Sequence, residues 1–325
     1  MNIAMFDLAM QGRGHIRDNI PCQDKTATLE RHGVHCITLA DGAGSARLSH
    51  FGAQAIVNNI AELLCESFDN FYSSPTAGEV NHSIANYVIE ILNKTAEEYS
   101  CELQDLSSTL LFVAVKGDKY IAGQVGDGII ALCREGKLKI AYKPDSGEFI
   151  NTTHFTTSKN LTHRLRLFKG SMSNITGFII MSDGTSESLY MRRTSKLSNI
   201  VKNIIDSIYC KHKNYASMEM IEFFKNYIIT RTTDDCSIAV MSCFNNDNDF
   251  FESLSKDELF RLFNQKKCIN KKDFISEYID IIIYCRNTNN IKLLSRTLKI
   301  RPKTLARRIR KLKLQGFKNV MKSFC

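Results

Sequence analysis

Ile37-Thr38-Leu39-Ala40-Asp41-Gly42 is an apolar, strand-like run that ends in Asp-Gly, and the chain uses the same device twice more. Ile121 to Val125 runs into Gly126-Asp127-Gly128, and Phe178 to Met181 runs into Ser182-Asp183-Gly184. A fourth acidic step, Asp234-Asp235, stands just before the apolar run Cys236 to Met241. Taken singly, Asp-Gly is a tight-turn signal, because both residues tolerate positive φ. Taken together, carboxylates at strand ends far apart in sequence can converge on one edge of a sheet, where hard divalent cations find oxygen ligands.

Working outward from these steps, the first 245 residues read as α+β. Ile3 to Leu8, Lys25 to Leu29 and His35 to Ala40 are expected strands, followed by a helix from about Phe51 to Ser67. A second helix, Val80 to about Tyr99, carries Ile84, Tyr87, Val88, Ile91 and Leu92 at the spacing of one buried face. Strands Thr109–Val115, Lys119–Val125 and Ile129–Cys133 are expected to form a meander, turning at Lys116-Gly117-Asp118 and at Glu135-Gly136. The polar, turn-rich stretch from Lys143 to about Thr176 reads as a flap over a site. Strand Phe178–Met181, helices around Lys196–Cys210 and Ser217–Ile229, and a closing strand Cys236–Met241 complete the order. Two strand layers with helical layers outside them, a four-layer α-β-β-α sandwich, account for it.

The polar run Asn245 to Asp249 marks a boundary between residues 1–245 and a second module, residues 246–325. This module reads as small and all-helical, with helices at Lys256–Gln265, Lys272–Cys285, Ile291–Leu298 and Pro302–Leu314. It also holds the whole basic excess of a chain whose net charge is +9: 19 Lys and Arg against 8 Asp and Glu, leaving 24 against 26 for residues 1–245. No acidic residue follows Asp280, so this end of the chain is expected to meet something anionic or to form a separate module.

No apolar run approaches the length of a bilayer span, and Asp7, Gln11 and Arg13 interrupt the N-terminal apolar residues, so a soluble cytoplasmic protein without a membrane partner is expected. The eleven cysteines are scattered and odd in number, which argues against a disulfide framework and a Cys-x-x-Cys zinc site. His32-x-x-His35 has metal-like spacing without partners and reads as a pair of ordinary histidines.

Gln23-Asp24, Asp41-Gly42-Ala43-Gly44, Ser108-Thr109 opening a strand, Gly126-Asp127-Gly128, Ser182-Asp183-Gly184 and Asp234-Asp235 together resemble, in order and rough spacing, the metal-dependent Ser/Thr protein phosphatases of the 2C family. The resemblance covers about residues 1–242. It implies a helix-flanked β-sandwich with two Mn²⁺ or Mg²⁺ ions at one end and a weaker third. On that pattern Asp41 bridges two metals, the Gly42 carbonyl binds the second, Asp183 and Asp234 complete the first, Asp127 helps hold the third, and Asp24 orients water. Asp235 is then a neighbour of a ligand. The physical logic is that two cations acidify a bridging water towards hydroxide and neutralise the phosphoryl oxygens, so no protein nucleophile is needed.

The chain departs from this pattern in three places. Gln23 stands where most of the family has Glu, which offers the second metal a carbonyl oxygen without charge. Pro21-Cys22-Gln23-Asp24 and Gly147-Glu148-Phe149-Ile150-Asn151 resemble a bacterial subgroup in which that Gln is usual. Asn19 occupies the position of the phosphate-binding Arg, leaving Arg17 as candidate and Arg13 in reserve. Ala43 sits where some members carry a general-acid His, and His15 is the substitute near the first motif.

At the far end, Ile291 to Ile309 reads as helix, turn, helix and resembles a helix-turn-helix. Its second helix would offer Lys303, Thr304, Arg307, Arg308 and Lys311 to a major groove. Docking on a protein, a partner kinase included, is the other use of such a basic hairpin. The resulting expectation is a Mn²⁺/Mg²⁺-dependent phosphatase acting on phosphoserine and phosphothreonine in phosphoproteins, in a bacterial signalling setting beside a Ser/Thr kinase, with a basic targeting module. The alternative is a nucleic-acid-binding regulator whose phosphatase-like part is a sensor or scaffold.

Overall fold

The computed structural model describes residues 1–142, 153–210, 218, 220–244, 260, 281 and 291–313. The elements run β1 (Asn2–Met10), α1 (Arg13–Asp18), β2 (Lys25–Arg31), β3 (Val34–Ala40), α2 (Ser49–Ser73), α3 (Ala77–Tyr99), β4 (Leu110–Lys116), β5 (Lys119–Val125), β6 (Ile129–Arg134) and β7 (Lys137–Tyr142). They continue with α4 (Leu161–Arg164), β8 (Arg166–Ser171), β9 (Ile175–Met181), α5 (Asp183–Leu189), β10 (Tyr190–Met191), β11 (Lys196–Leu197), α6 (Asn199–Cys210), a helical stretch over 220–231, and β12 (Cys236–Phe244). Two further helices follow, α7 (Ile291–Thr297) and α8 (Pro302–Lys313).

The strands form two five-stranded antiparallel sheets, ordered β1-β12-β9-β6-β7 and β2-β3-β4-β5-β8, plus the small hairpin β10-β11. The expected α+β sandwich flanked by helices is the architecture found, with the small helical module at the C-terminal end. Strands β4, β5 and β6 are buried nearly throughout, and β9 and β12 likewise, as sheets covered on both faces require. On one side, α2 presents Ile56, Ile60, Leu64, Phe68 and Phe71 at helical spacing, and α3 adds Val80, Ile84, Val88 and Leu92. These pack with Phe112, Ala114 and Ile121 of the second sheet in one core. Helix α3 starts at Thr76, whose Oγ1 accepts the Glu79 N–H, and stops where Ser100 turns left-handed. Gly52 lets α2 approach closely, since a Cβ there would run into the Leu106 carbonyl. In the other helical segments, Val201, Ile204, Ile205, Phe224 and Ile228 are buried.

Two expectations are corrected, and one strand is added. Strands β4, β5 and β6 are no meander: β5 pairs with β4 and β8, whereas β6 pairs with β7 and β9, so the chain changes sheets over Gly126-Asp127-Gly128. Gly126 supplies the left-handed backbone (φ +104°), and Gln124 Nε2 pins the crossing by donating to the Gly126 and Gly128 carbonyls at 3.0 and 2.8 Å. The stretch read as a flap contains strand β8, which closes the edge of the second sheet; residues 143–152 lie outside the described residues. The residues after Glu135-Gly136 form a further strand, β7, paired with β6.

The chain divides into two compact units, one of Met5–Ile205 with Met220–Met241, the other of Met1–Ala4, Asp206–Glu219 and Ser242–Cys325. Helices α7 and α8 are joined by a turn in which Lys299 is left-handed, and Ser295 Oγ donates to the Ile300 carbonyl at 2.6 Å. Leu294, Leu305 and Ile309 are buried, while Lys303, Arg307 and Arg310 are exposed. The helices expected at 256–265 and 272–285 lie outside the described residues, except Ile281, which is helical.

Candidate active site

The acidic steps identified in the sequence meet at one end of the sandwich, each delivered by a strand end. Asp41 follows β3 and is fixed by reciprocal bonds with Thr109: the Asp41 N–H donates to Thr109 Oγ1, and the Thr109 N–H to the Asp41 carbonyl, both at 2.8 Å. Gly42 bridges to Ser108 beyond the last regular pair, and a Cβ on it would crowd the Gln23 carbonyl and Ser49. Asp183 opens α5 directly after β9, with its Oδ1 accepting the Gly184 N–H at 2.6 Å. Asp127 sits on the inter-sheet crossing and accepts from Thr153 Oγ1 at 2.7 Å. Asp24 precedes β2 and is buried, whereas Asp234 is exposed, so the cluster has a floor and an open rim.

These carboxyls act on one another. Burial pushes Asp24 up to about 7, with Asp235 and Asp183 adding to the rise and the Ser182 and Ser237 hydroxyls opposing it. Asp41 is raised well above the usual carboxylate range by burial, and then by the charges of Asp24, Asp183 and Asp234. Asp183 is itself raised, chiefly by burial and then by Asp127 and Asp234. Asp234 is raised by partial burial of its carboxyl together with Asp235 and Glu187, an effect that solvent at the rim screens. Asp24 Oδ2 and Gln23 Oε1 are buried without hydrogen-bond partners. As the side chains stand, no three His, Cys, Asp or Glu among the described residues form a group that could hold a metal ion. The donors nevertheless fit one: hard oxygens, an excess of mutually repelling carboxyls and two unpartnered buried oxygens are what a divalent cation relieves.

Asp235 has a larger role than its sequence position suggests. Only 2% of its side chain is exposed, and it accepts the Gly12 N–H at 2.7 Å and the Gln23 N–H at 2.6 Å. Its Oδ1 also lies 2.9 Å from His15 Nδ1, within ion-pair reach though without hydrogen-bond alignment. One carboxylate thus ties the segment after β1, the segment before β2 and the segment before β12. Within the segment Gln11 to Gly14 the sequence singled out Gln11 and Arg13 but not the two glycines. A Cβ at Gly12 would run into the Asp234 carbonyl, and the Gly14 N–H donates to the Thr233 carbonyl at 2.8 Å. The Gly-x-Gly spacing at 12 and 14 was the available signal.

The two arginine candidates separate. Arg17 is 75% exposed and forks onto the neighbouring Asp18 with two bonds of 2.8 Å. Arg13 Nε donates to the Thr232 carbonyl at 3.2 Å, beside the Asp234 segment.

A sequence profile of the protein phosphatase 2C family matches residues 11–223, more than half of the chain. The chain belongs to the protein phosphatase 2C family. Serine/threonine-protein phosphatase 3 of Escherichia coli (strain K12) is 29% identical over 168 residues, covering 48% of this chain and 64% of that protein. The chain thus spans less than two thirds of the length of this curated relative. Among solved structures, a bacterial serine phosphatase aligns with TM-score 0.54 at 11% identity, covering 76% of this chain and 100% of that one. The serine/threonine phosphatase of S. agalactiae aligns with TM-score 0.51 at 17% identity, covering 75% and 100%. At such identities the two structures attest the protein phosphatase 2C fold.

Proposed function

We propose that this protein is a Mn²⁺- or Mg²⁺-dependent phosphatase that removes phosphate from phosphoserine and phosphothreonine in proteins. The observation that carries the reading is the meeting of Asp24, Asp41, Asp127, Asp183 and Asp234 at one end of the sandwich, with four of them raised by burial and mutual repulsion. Asp41, the Gly42 carbonyl, Asp183 and Asp234 would hold two ions, Gln23 would assist through its free Oε1, and Asp127 would hold a third. When bound, the cations supply an activated water and neutralise phosphoryl charge. The protein's own part is to orient that water through Asp24, to present His15 to the leaving oxygen from its seat on Asp235, and to bind phosphate through an arginine. For that arginine Arg13 is better placed than Arg17, because Arg17 would first have to leave Asp18.

Residues 1–245 would form the catalytic domain and 246–325 a targeting or regulatory module, in a bacterial cytoplasm beside a Ser/Thr kinase. No helix among the described residues is long and apolar enough to cross a membrane. The test is hydrolysis of a phosphothreonine peptide and of para-nitrophenyl phosphate with Mn²⁺. We expect Asp41→Asn and Asp183→Asn each to lower kcat at least about 100-fold. Metal-independent turnover, or none above the variants, would sink the reading.

A second reading, a nucleic-acid-binding regulator, draws on the α7-turn-α8 hairpin, which exposes Lys303, Arg307 and Arg310 opposite buried Leu305 and Ile309. A helix-turn-helix would place Thr304, Arg308 and Lys311 at the same groove. All four carboxylates Asp24, Asp41, Asp183 and Asp234 are present, and a pure scaffold would have no use for them, so the enzyme reading is preferred.

A further inference from the structure

The hairpin β10-β11 follows directly on α5, the helix that Asp183 opens. Its register sets Met191 opposite Lys196 and Tyr190 opposite Leu197. Tyr190 and Leu197 face inward and are half-buried, while Met191, Arg192, Arg193 and Lys196 are all exposed. Met191 is 54% exposed and stands next to Arg192 and across from Lys196. Strand β11 packs against β7, the outer strand of its sheet, where Lys137 and Lys139 share an exposed face while Leu138 and Ile140 are half-buried. None of these five cations makes an ion pair among the described residues. Among the described residues, Glu135 in the turn between β6 and β7 accepts from Asn174 Nδ2 at 3.3 Å, and Glu187 stands on α5.

This basic patch is set against an unusual background. Residues 1–245 carry a slight acidic excess, and the catalytic end is a cluster of aspartates that repels any acidic substrate until cations fill it. The seven residues of α5 span about 10 Å at 1.5 Å per residue, and the hairpin adds roughly as much again, so its tip lies within about 20 Å of Asp183. An extended peptide covers that distance in about six residues.

We propose that the β10-β11 hairpin, with Lys137 and Lys139 of β7, is a docking surface for an acidic segment of the phosphoprotein substrate, lying within about six residues of the phosphorylated side chain. The inference rests on the phosphatase reading. An acidic peptide is favoured over nucleic acid for two reasons. Strands of two residues are too short to fill a groove or follow a phosphate backbone, and Met191 offers an apolar anchor at the centre of the charge.

The test uses the full chain and two phosphothreonine peptides, one with four Asp or Glu three to six residues from the phosphate, the other with Ala in their place. Wild type should favour the acidic peptide in KM by about tenfold at low salt, and the preference should fade as salt rises. The triple variant Arg192→Glu/Arg193→Glu/Lys196→Glu should lose it while hydrolysing para-nitrophenyl phosphate at the wild-type rate, which also shows that it is folded. Fluorescence anisotropy with an unphosphorylated acidic peptide reads docking without turnover. If that binding is present and reversed by the triple variant while no metal-dependent hydrolysis occurs, docking stands and the phosphatase reading falls. Equal KM for both peptides, a preference that survives the triple variant, or binding of a DNA duplex that is as tight as that of the acidic peptide and is abolished by the triple variant would each overturn the proposal.

Discussion

Burial and then three neighbouring carboxylates raise Asp41, so the metal-free site holds protons that an unfolded chain would release. A folded-state pKa above the unfolded value, about 3.9, means stability that is complete at low pH and lost as pH rises through the folded value. For Asp24 that loss runs from about 4 through about 7. Thermal unfolding in chelator should therefore show a falling Tm over this window, with Mn²⁺ restoring it. Asp41→Asn, which removes one buried charge from the crowded cluster, should raise the metal-free Tm at pH 8 by about 2–4 °C for each kcal/mol relieved, and much less at pH 5. Gln23 poses a related question, since its unpartnered Oε1 brings no charge to the site. We expect Gln23→Glu to lower the Mn²⁺ concentration for half-maximal activity several-fold; an unchanged titration would detach Gln23 from the metal. At this scale the sequence was informative wherever a carboxylate ended a strand. It made Asp235 only the neighbour of a ligand, because the role of that residue comes from two backbone N–H groups and an imidazole brought in from more than 200 positions away.

Helices and strands were legible where one residue spacing governed burial. Helix α2 and helix α3 follow from their apolar stripes, and β3 from its unbroken run, although α2 continues beyond the expected Ser67 to Ser73. Pairing was harder to read. Strands β5 and β6 are adjacent in sequence and separated by a turn signal, yet belong to different sheets, because Gly126-Asp127-Gly128 is a crossing and not a hairpin. Strand β8 was hidden by its polarity: Arg166 and Lys169 flank the adjacent pair Leu167-Phe168, so the six residues show neither an unbroken apolar run nor the alternation that marks a half-buried strand. The sequence singled out Arg13, His15 and Arg17 but not helix α1 that carries them, because its place depends on glycines accepting a neighbouring backbone. Gly12→Ala should displace it from the Thr233-Asp234 segment, lowering kcat/KM at least tenfold while circular dichroism changes little. Phe68→Ala, in the core beneath α2, should instead cost about 3–5 kcal/mol of stability, read by urea unfolding.

For the molecule as a whole, charge divides more sharply than fold does: residues 246–325 carry the basic excess and the sandwich does not. If α8 meets nucleic acid, Lys303→Glu/Arg307→Glu in the full chain should abolish a salt-dependent shift of a DNA duplex and leave para-nitrophenyl phosphate turnover unchanged; no shift by wild type at low salt would end that reading. The sheet order β1-β12-β9 has a different consequence, since it makes neighbours of the earliest and latest strands of the sandwich. Asp235 accepts the Gly12 N–H across 223 positions. A growing chain therefore cannot finish the site until its last strand has emerged from the ribosome, however early the β2-β3-β4-β5 sheet has settled. A chain interrupted before β12 would hold a largely formed sheet and helices but no completed aspartate cluster.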